Sequence, residues 1–238
     1  MILNIYKEKG WTSFDVVAKI RSVLTRKEGN KVKVGHAGTL DPLAEGVLII
    51  LTHQDTKNQE DFMNKEKEYI AKIGFGSTSE SYDLEEDLTF HAISKNLNVE
   101  EELKNIIPKY LGDIDQEVPA YSAKKVEGIP LYKKARANGL KNKSLPVKRV
   151  NIKSIEILEV TIEKRMHIVK FDIRCGKGTY IRSLANDFGK DLGVGGVLVE
   201  LVRTRIGEYA IKDSLKINDW MESLFTYASR KSHFFIFL

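Results

Sequence analysis

The sequence predicts an α+β fold, and three features of it do so. Apolar and polar residues alternate with period two through Glu68–Phe75 and His167–Cys175, as they do along half-buried strands. Apolar residues recur at helical spacing after Thr12 and again after Gly178. These segments follow one another without the regular strand–helix–strand rhythm of a doubly wound parallel sheet.

Taken in order, Met1–Tyr6 reads as a short strand. Thr12 and Ser13 offer an N-cap to a helix with Phe14, Val17, Ile20 and Leu24 on its apolar face. Lys19, Arg21, Arg26 and Lys27 make the rest of that helix basic, as expected of a solvated face. Val47–Leu51 is a continuous apolar run, the mark of a buried strand. In Glu68–Phe75, Tyr69, Ala71, Ile73 and Phe75 share one face. Gly76–Asp83 reads as a polar loop, and Val99–Ile107 as a helix stopped or kinked by Pro108. Val150–Val160 and His167–Cys175 form the clearest strand pair. In the second, Val169, Phe171, Ile173 and Cys175 oppose Lys170, Asp172 and Arg174. Gly176–Thr179 ends that strand and begins a helix carrying Ile181, Leu184, Ala185 and Phe188 at i, i+3, i+4 and i+7. Gly193–Gly196 is a turn before the apolar Val197–Val202, and Leu215–Leu224 reads as a terminal helix or lobe.

Composition narrows the function classes. A chain of 238 residues with 42% apolar and 30% charged residues has ample material for a globular core. The net charge of +5 favours a polyanionic partner. Cys175 is the single cysteine, which excludes a disulfide framework and a Cys-rich zinc site. The five histidines lack metal-ligand spacing, so no metal is expected. No apolar run approaches the roughly 18 residues of a membrane helix, and the N-terminus lacks the form of a secretory signal. A reducing, cytoplasmic setting is the expectation. With no repeat and no Pro/Ser-rich linker, one domain accounts for the chain.

The most informative stretch is Gly35-His36-Ala37-Gly38-Thr39-Leu40-Asp41-Pro42-Leu43-Ala44-Glu45-Gly46. Its glycines permit backbone angles and close approaches that side chains forbid. Pro42 holds Asp41 away from the helical region, although Asp before Pro is also an ordinary turn starter. This stretch resembles the catalytic loop of the bacterial tRNA pseudouridine synthases of the TruB type, G-H-x-G-[TA]-L-D-P-x-A-x-G. Three further stretches resemble the same family in the same order. They are Lys67-Glu68-Tyr69-Ile70-Ala71; Tyr121-Ser122-Ala123-Lys124-Lys125 with Gly128, Leu131-Tyr132 and Ala135-Arg136; and Gly176-Lys177-Gly178-Thr179-Tyr180-Ile181-Arg182-Ser183-Leu184-Ala185.

The resemblance spans about Leu3 to Tyr209. It implies a pseudouridine synthase catalytic fold, a central mixed and mostly antiparallel sheet flanked by helices with an active-site cleft. Residues 1–210 would form the catalytic domain, and 211–238 a C-terminal helix and apolar tail without the PUA-type RNA-binding domain of many relatives. The implied reaction turns uridine into pseudouridine at position 55 in the T-arm loop of tRNA, after flipping the base out of the stack. Asp41 matches the catalytic aspartate, for which attack on C1′, addition to C6 and removal of the 2′ proton are all open. Arg182 matches the arginine that pairs with it, and Tyr69 the tyrosine that lies against the target uracil. Tyr180 matches a second active-site aromatic, and His36 the histidine that takes the place of the flipped base. Lys125 and Arg136, with Lys148 and Arg149, are candidate phosphate contacts. No cofactor and no obligatory protein partner are implied, and the chain is expected to act on the tRNA stem-loop as a monomer. Two rivals remain: an RNA-guided synthase subunit, and a tRNA chaperone without chemistry.

The chain departs from the family pattern in places. Lys7-Glu8-Lys9-Gly10-Trp11-Thr12-Ser13 lacks the usual proline, Asp83 leads into Leu84-Glu85-Glu86, and the late L-R-R element appears as Leu201-Val202-Arg203-Thr204-Arg205.

Overall fold

The computed structural model describes residues 1–137, 145–163 and 165–232, with side chains as far as 224. Its longer elements are β1 (Ile2–Lys7), α1 (Ser13–Glu28), β2 (Val34–Ala37), β3 (Glu45–Thr52), α2 (Gln59–Asn64), β4 (Lys67–Phe75) and α3 (Val99–Ile106). They continue with β5 (Gly112–Glu117), α4 (Leu131–Arg136), β6 (Val147–Glu163), β7 (Met166–Cys175), α5 (Ile181–Asp191), β8 (Gly196–Ile206) and α6 (Ile217–Ser232). The chain divides into two units, residues 1–65 with 202 onward, and residues 66–201. Strand pairing in both is mostly antiparallel, with helices against the sheet, the α+β architecture that the sequence predicts.

In the first unit β3 pairs antiparallel with β1 and with β2, while β1 pairs parallel with the short strand Leu215–Lys216. The end of β8 runs parallel to the start of β3, with Val202 opposite Glu45 and Arg203 opposite Gly46. β3 is apolar along its length because both of its faces are covered. Leu48 and Ile50 pack with Val16, Val17, Ile20 and Leu24 of α1 and with Ile217 and Trp220 of α6. Val47, Ile49 and Leu51 pack with Ala37, Phe62 and Ile206.

Helix α1 begins at a capping box. The Asp15 N–H donates to Thr12 Oγ1 at 3.0 Å, and the Thr12 N–H donates to Asp15 Oδ2 at 2.9 Å. It ends at Gly29, which takes the left-handed conformation at φ 71°. Phe14 does not join the apolar face as expected and stays 64% exposed, its place being taken by Val16. At about 100° per residue, Phe14 points well away from the centre of the stripe formed by Val17, Ile20 and Leu24.

In the second unit β4, β7, β6 and β5 form an antiparallel ladder in that order. Tyr69 lies opposite Ile173 and Ile73 opposite Val169, so the expected apolar faces of the two strands coincide and are buried. Phe188 of α5 packs against Phe171 at 5.7 Å and edge-on to Tyr110 at 4.8 Å between ring centroids. Helix α3 gives way to a tighter turn, Ile107–Tyr110, at Pro108 as expected.

Two expectations are refined. The polar loop 76–83 begins with a short strand and is partly buried. Ser77–Thr78 pairs with Thr89–Phe90, and Ser77, Ser81 and Asp83 are fully buried because internal partners satisfy them. Within the expected terminal helix, Leu215–Lys216 is strand and the helix starts at Ile217. The apolar tail 233–238 lies outside the described residues.

The capping box predicts that Thr12→Ala lowers stability by about 1 kcal/mol. Urea unfolding should show a lower midpoint at unchanged slope.

Candidate active site

The stretch that carries Asp41 leaves the sheet after β2 and returns in β3, so its main-chain polar groups must find partners outside a ladder. They find them on both sides of Asp41. The Leu40 N–H donates to Ser13 Oγ at 2.8 Å, and the Ser13 hydroxyl donates back to Leu40 O at 2.9 Å. The Gly10 N–H donates to Pro42 O at 2.8 Å. The Ala44 N–H donates to Asp41 O at 3.1 Å, closing a turn in which Pro42 follows Asp41, the place that proline's fixed φ suits. Asp41 itself is half-buried.

Two buried cations lie in the same unit. Lys7 is fully buried and its Nζ donates to Glu8 O at 3.2 Å and Trp11 O at 2.5 Å. Burial pushes its pKa down to about 8, against the pull of Asp41 and Glu45 and with the help of Arg203. Arg203, 1% exposed, donates from Nε to Val47 O at 2.7 Å, from Nη1 to Thr39 O at 3.3 Å and from Nη2 to Gly38 O at 3.0 Å. His36 is half-buried in β2, and the Gln59 side-chain amide donates to its carbonyl at 2.8 Å. Burial first, and the Arg203 charge second, lower the pKa of the His36 ring, favouring neutral imidazole.

The second unit holds the other predicted residues. Tyr69 is buried in β4. Tyr180 caps α5 and is pinned by the buried Gln116 side chain, which accepts from Tyr180 N at 2.7 Å and donates to Tyr180 O at 3.1 Å. Arg182, in the first turn of α5, is buried. Its Nη1 donates to Ser81 O at 3.0 Å and lies 3.2 Å from Asp83 Oδ2, and its Nη2 donates to Tyr121 O at 3.0 Å. Asp83 Oδ1 accepts from the Ser81 hydroxyl at 2.6 Å and from Glu85 N at 3.0 Å, so the carboxylate is oriented as well as paired. Lys125 is exposed in the short strand Lys125–Val126, and the exposed Arg136 lies over the Tyr132 ring at 5.8 Å. The Lys148 side chain occupies the space beside Gly178 that a Cβ would fill. Burial and the charges of Lys124 and Lys177 lower its pKa.

Sequence reasoning did not pick out Lys7, Ser13, Asp83, Gln116 or Arg203 as site residues. Ser13 read as a helix cap, yet Thr12 caps and Ser13 faces the loop. Arg203 carried a usable signal, since it falls two residues after Leu201 in the strand that continues Val197–Val202 and so shares that residue's buried face. Among the described residues, no three His, Cys, Asp or Glu side chains gather as metal ligands. No described helix is long and apolar enough to cross a membrane.

Comparison with known proteins matches residues 23–181 to the TruB family pseudouridylate synthase (N terminal domain). The tRNA pseudouridine synthase B of Phocaeicola vulgatus is 41% identical over 224 residues, 94% of this chain and 92% of the relative. That of Parabacteroides distasonis is 42% identical over 226 residues, 93% of each chain. Among solved structures, the crystal structure of a Cbf5–Nop10–Gar1 complex aligns with a TM-score of 0.69 at 26% identity. The alignment covers 97% of this chain and 56% of that one, so this chain spans little more than half of the matched protein.

Two predictions follow from the buried charges. The folded pKa of Lys7, about 8, lies below its ordinary value of 10.5, so between those values the unfolded chain binds the extra proton. The contribution of Lys7 to stability therefore rises with pH across that window. Denaturation of Lys7→Met at pH 7.5 and pH 10 should lack this rise, seen as a difference from the unsubstituted chain. Asp83→Asn removes the charge opposite a buried guanidinium at nearly constant volume, and should cost about 3–5 kcal/mol in urea unfolding.

Proposed function

Because the chain belongs to the TruB family of pseudouridylate synthases, we propose that it isomerises uridine to pseudouridine in tRNA, at position 55 of the T-arm loop. The observation that carries this reading is the presentation of Asp41 on a loop whose main chain is held before and after it by Ser13, Gly10 and Arg203. An enzyme that works on a base needs one carboxylate at a fixed place beside sugar and uracil, and a loop tied in this way meets that need.

In the proposed reaction the N1–C1′ bond breaks and the uracil turns. C5 then bonds to C1′, C5 loses its hydrogen as a proton, and N1 ends protonated. Atoms and electrons balance without an oxidant or a cofactor. Asp41 is the proposed catalytic carboxylate, and Arg182 and Tyr69 are the further catalytic residues that the family resemblance proposes. A neutral His36 suits the role of stacking in the space left by the flipped base, since it brings no charge to be desolvated. Tyr180, with its main chain pinned by Gln116, offers a second aromatic to the substrate. Lys125, Arg136 and Lys148 are offered as phosphate contacts, in keeping with the chain's basic charge. Residues 1–210 are proposed as the catalytic domain, acting on tRNA in the cytoplasm as a monomer without a protein partner.

The test is tritium release from unmodified tRNA carrying 5-tritiated uridine, with purified protein and no guide RNA. About one tritium per tRNA is expected, and none from Asp41→Ala, whose tRNA affinity stays within about three-fold. A mutant tRNA lacking uridine 55 should release nothing. Failure of the unsubstituted chain to release tritium from tRNA it binds would replace this reading with that of a chaperone.

A further inference from the structure

Arg203 is the largest fully buried side chain among the described residues, and its guanidinium donates to three main-chain carbonyls. Burying a guanidinium is costly, and an apolar side chain of similar volume would ordinarily serve a core at least as well. What Arg203 touches gives the reason for its presence. Its acceptors are the carbonyls of Gly38 and Thr39, just before Asp41, and of Val47, at the start of the strand beyond it. The planar, rigid fork of the guanidinium suits it to hold several acceptors at fixed relative positions, as a lysine does not.

The backbone of the same residue grips the loop's far end. Arg203 pairs in register with Gly46, and a Cβ on Gly46 would meet Arg203 O at 2.3 Å. On the near side Gly38 takes φ +96°, a conformation that side chains resist, and its carbonyl accepts from the guanidinium. One residue therefore holds both ends of the segment that presents Asp41. Ser13 holds its middle independently, from the first turn of α1, by the paired bonds to Leu40.

We propose that Arg203 is a positioning residue for pseudouridine formation, with Ser13 as its second support: it acts on the reaction through the main chain of residues 38–47 and so through Asp41. This rests on the reading of Asp41 as the catalytic carboxylate. Neither side chain need touch RNA, so their loss should fall on the chemical step and leave RNA binding alone.

The experiment is single-turnover tritium release by the full chain, with rates per folded molecule and tRNA Kd measured alongside. Arg203→Lys keeps the charge but loses the fork, and should slow the step about 10- to 100-fold, since a displacement near 1 Å costs on that order. Its Kd should stay within about three-fold. Ser13→Ala removes one hydroxyl, is the gentler change to the fold, and should slow the step about 10-fold. Leu24→Ala destabilises the same unit without touching the loop, and its rate per folded molecule should match the unsubstituted chain. A folded Arg203→Lys or Ser13→Ala with an undiminished rate, or a loss that appears in Kd instead, would overturn the proposal. Asp41→Asn separates the two readings. If it retains turnover, the assignment of Asp41 fails, whereas full loss there beside normal Arg203→Lys and Ser13→Ala rates fails the positioning role alone.

Discussion

In the first unit, the close approach of the Gly46 main chain to that of Arg203 sets much of what surrounds it. Gly46 sits at φ +103°, a region that side chains resist, and the Arg203 carbonyl fills the volume where its Cβ would stand. Only with both conditions met can the start of β3 lie parallel to the end of β8 in this register. The pairing then delivers the Arg203 side chain to Val47, Thr39 and Gly38. Were β8 displaced by one residue, the side chain at this position would point to the opposite face of the sheet, because strand side chains alternate. Backbone register and guanidinium reach are thus one constraint seen twice.

The two units meet the cost of buried charge in different ways. Around Arg182, a carboxylate and two carbonyls share the guanidinium, and the carboxylate of Asp83 is itself oriented by Ser81 and the Glu85 N–H. That arrangement is a paired one, in which removal of either partner strands the other. Lys7 and Arg203 donate instead to main-chain carbonyls, at Glu8, Trp11, Gly38, Thr39 and Val47. Carbonyl dipoles stabilise a cation less than a carboxylate at the same distance, which accords with the depressed pKa of Lys7. They also remain where the chain puts them, so the cations serve to organise backbone.

Much of this fold is legible in the sequence because its signals are local. The alternation in β4 and β7, the double-sided burial of β3, and the apolar stripe of α5 each sit within one element, and each appears as read. The loop of Asp41 is legible for another reason, its motif, which composition alone would not have singled out. Phe14 marks where the local rule falters. Its spacing to Val17 is helical, but the position of the whole stripe depends on what packs against it. The buried charges lie further out of reach. Whether Lys7, Asp83 or Arg203 is inside depends on partners up to 165 residues away in sequence, and a carbonyl partner leaves no mark on residue type. Ser13 illustrates the same limit from beside a cap, since Thr12 and Ser13 are equivalent as sequence and only the fold assigns one to the helix and the other to the loop.

Holding main chain, rather than holding the reactive side chain directly, has a physical advantage for a proposed catalytic carboxylate. With the peptide units around it tied, Asp41 keeps only its two side-chain torsions to set, so little conformational entropy is left to lose when substrate arrives. The ordering is completed during folding, by hydrogen bonds within the chain itself. Binding energy from an RNA then need not be diverted to organise the loop and remains available for flipping the base, itself a cost of a few kcal/mol. The expense appears instead in the folded state, as a lysine and an arginine withdrawn from water. A core that carries Arg203 against the Asp41 loop gives up stability that an apolar side chain would bring, and gives it up where precision of the loop matters most.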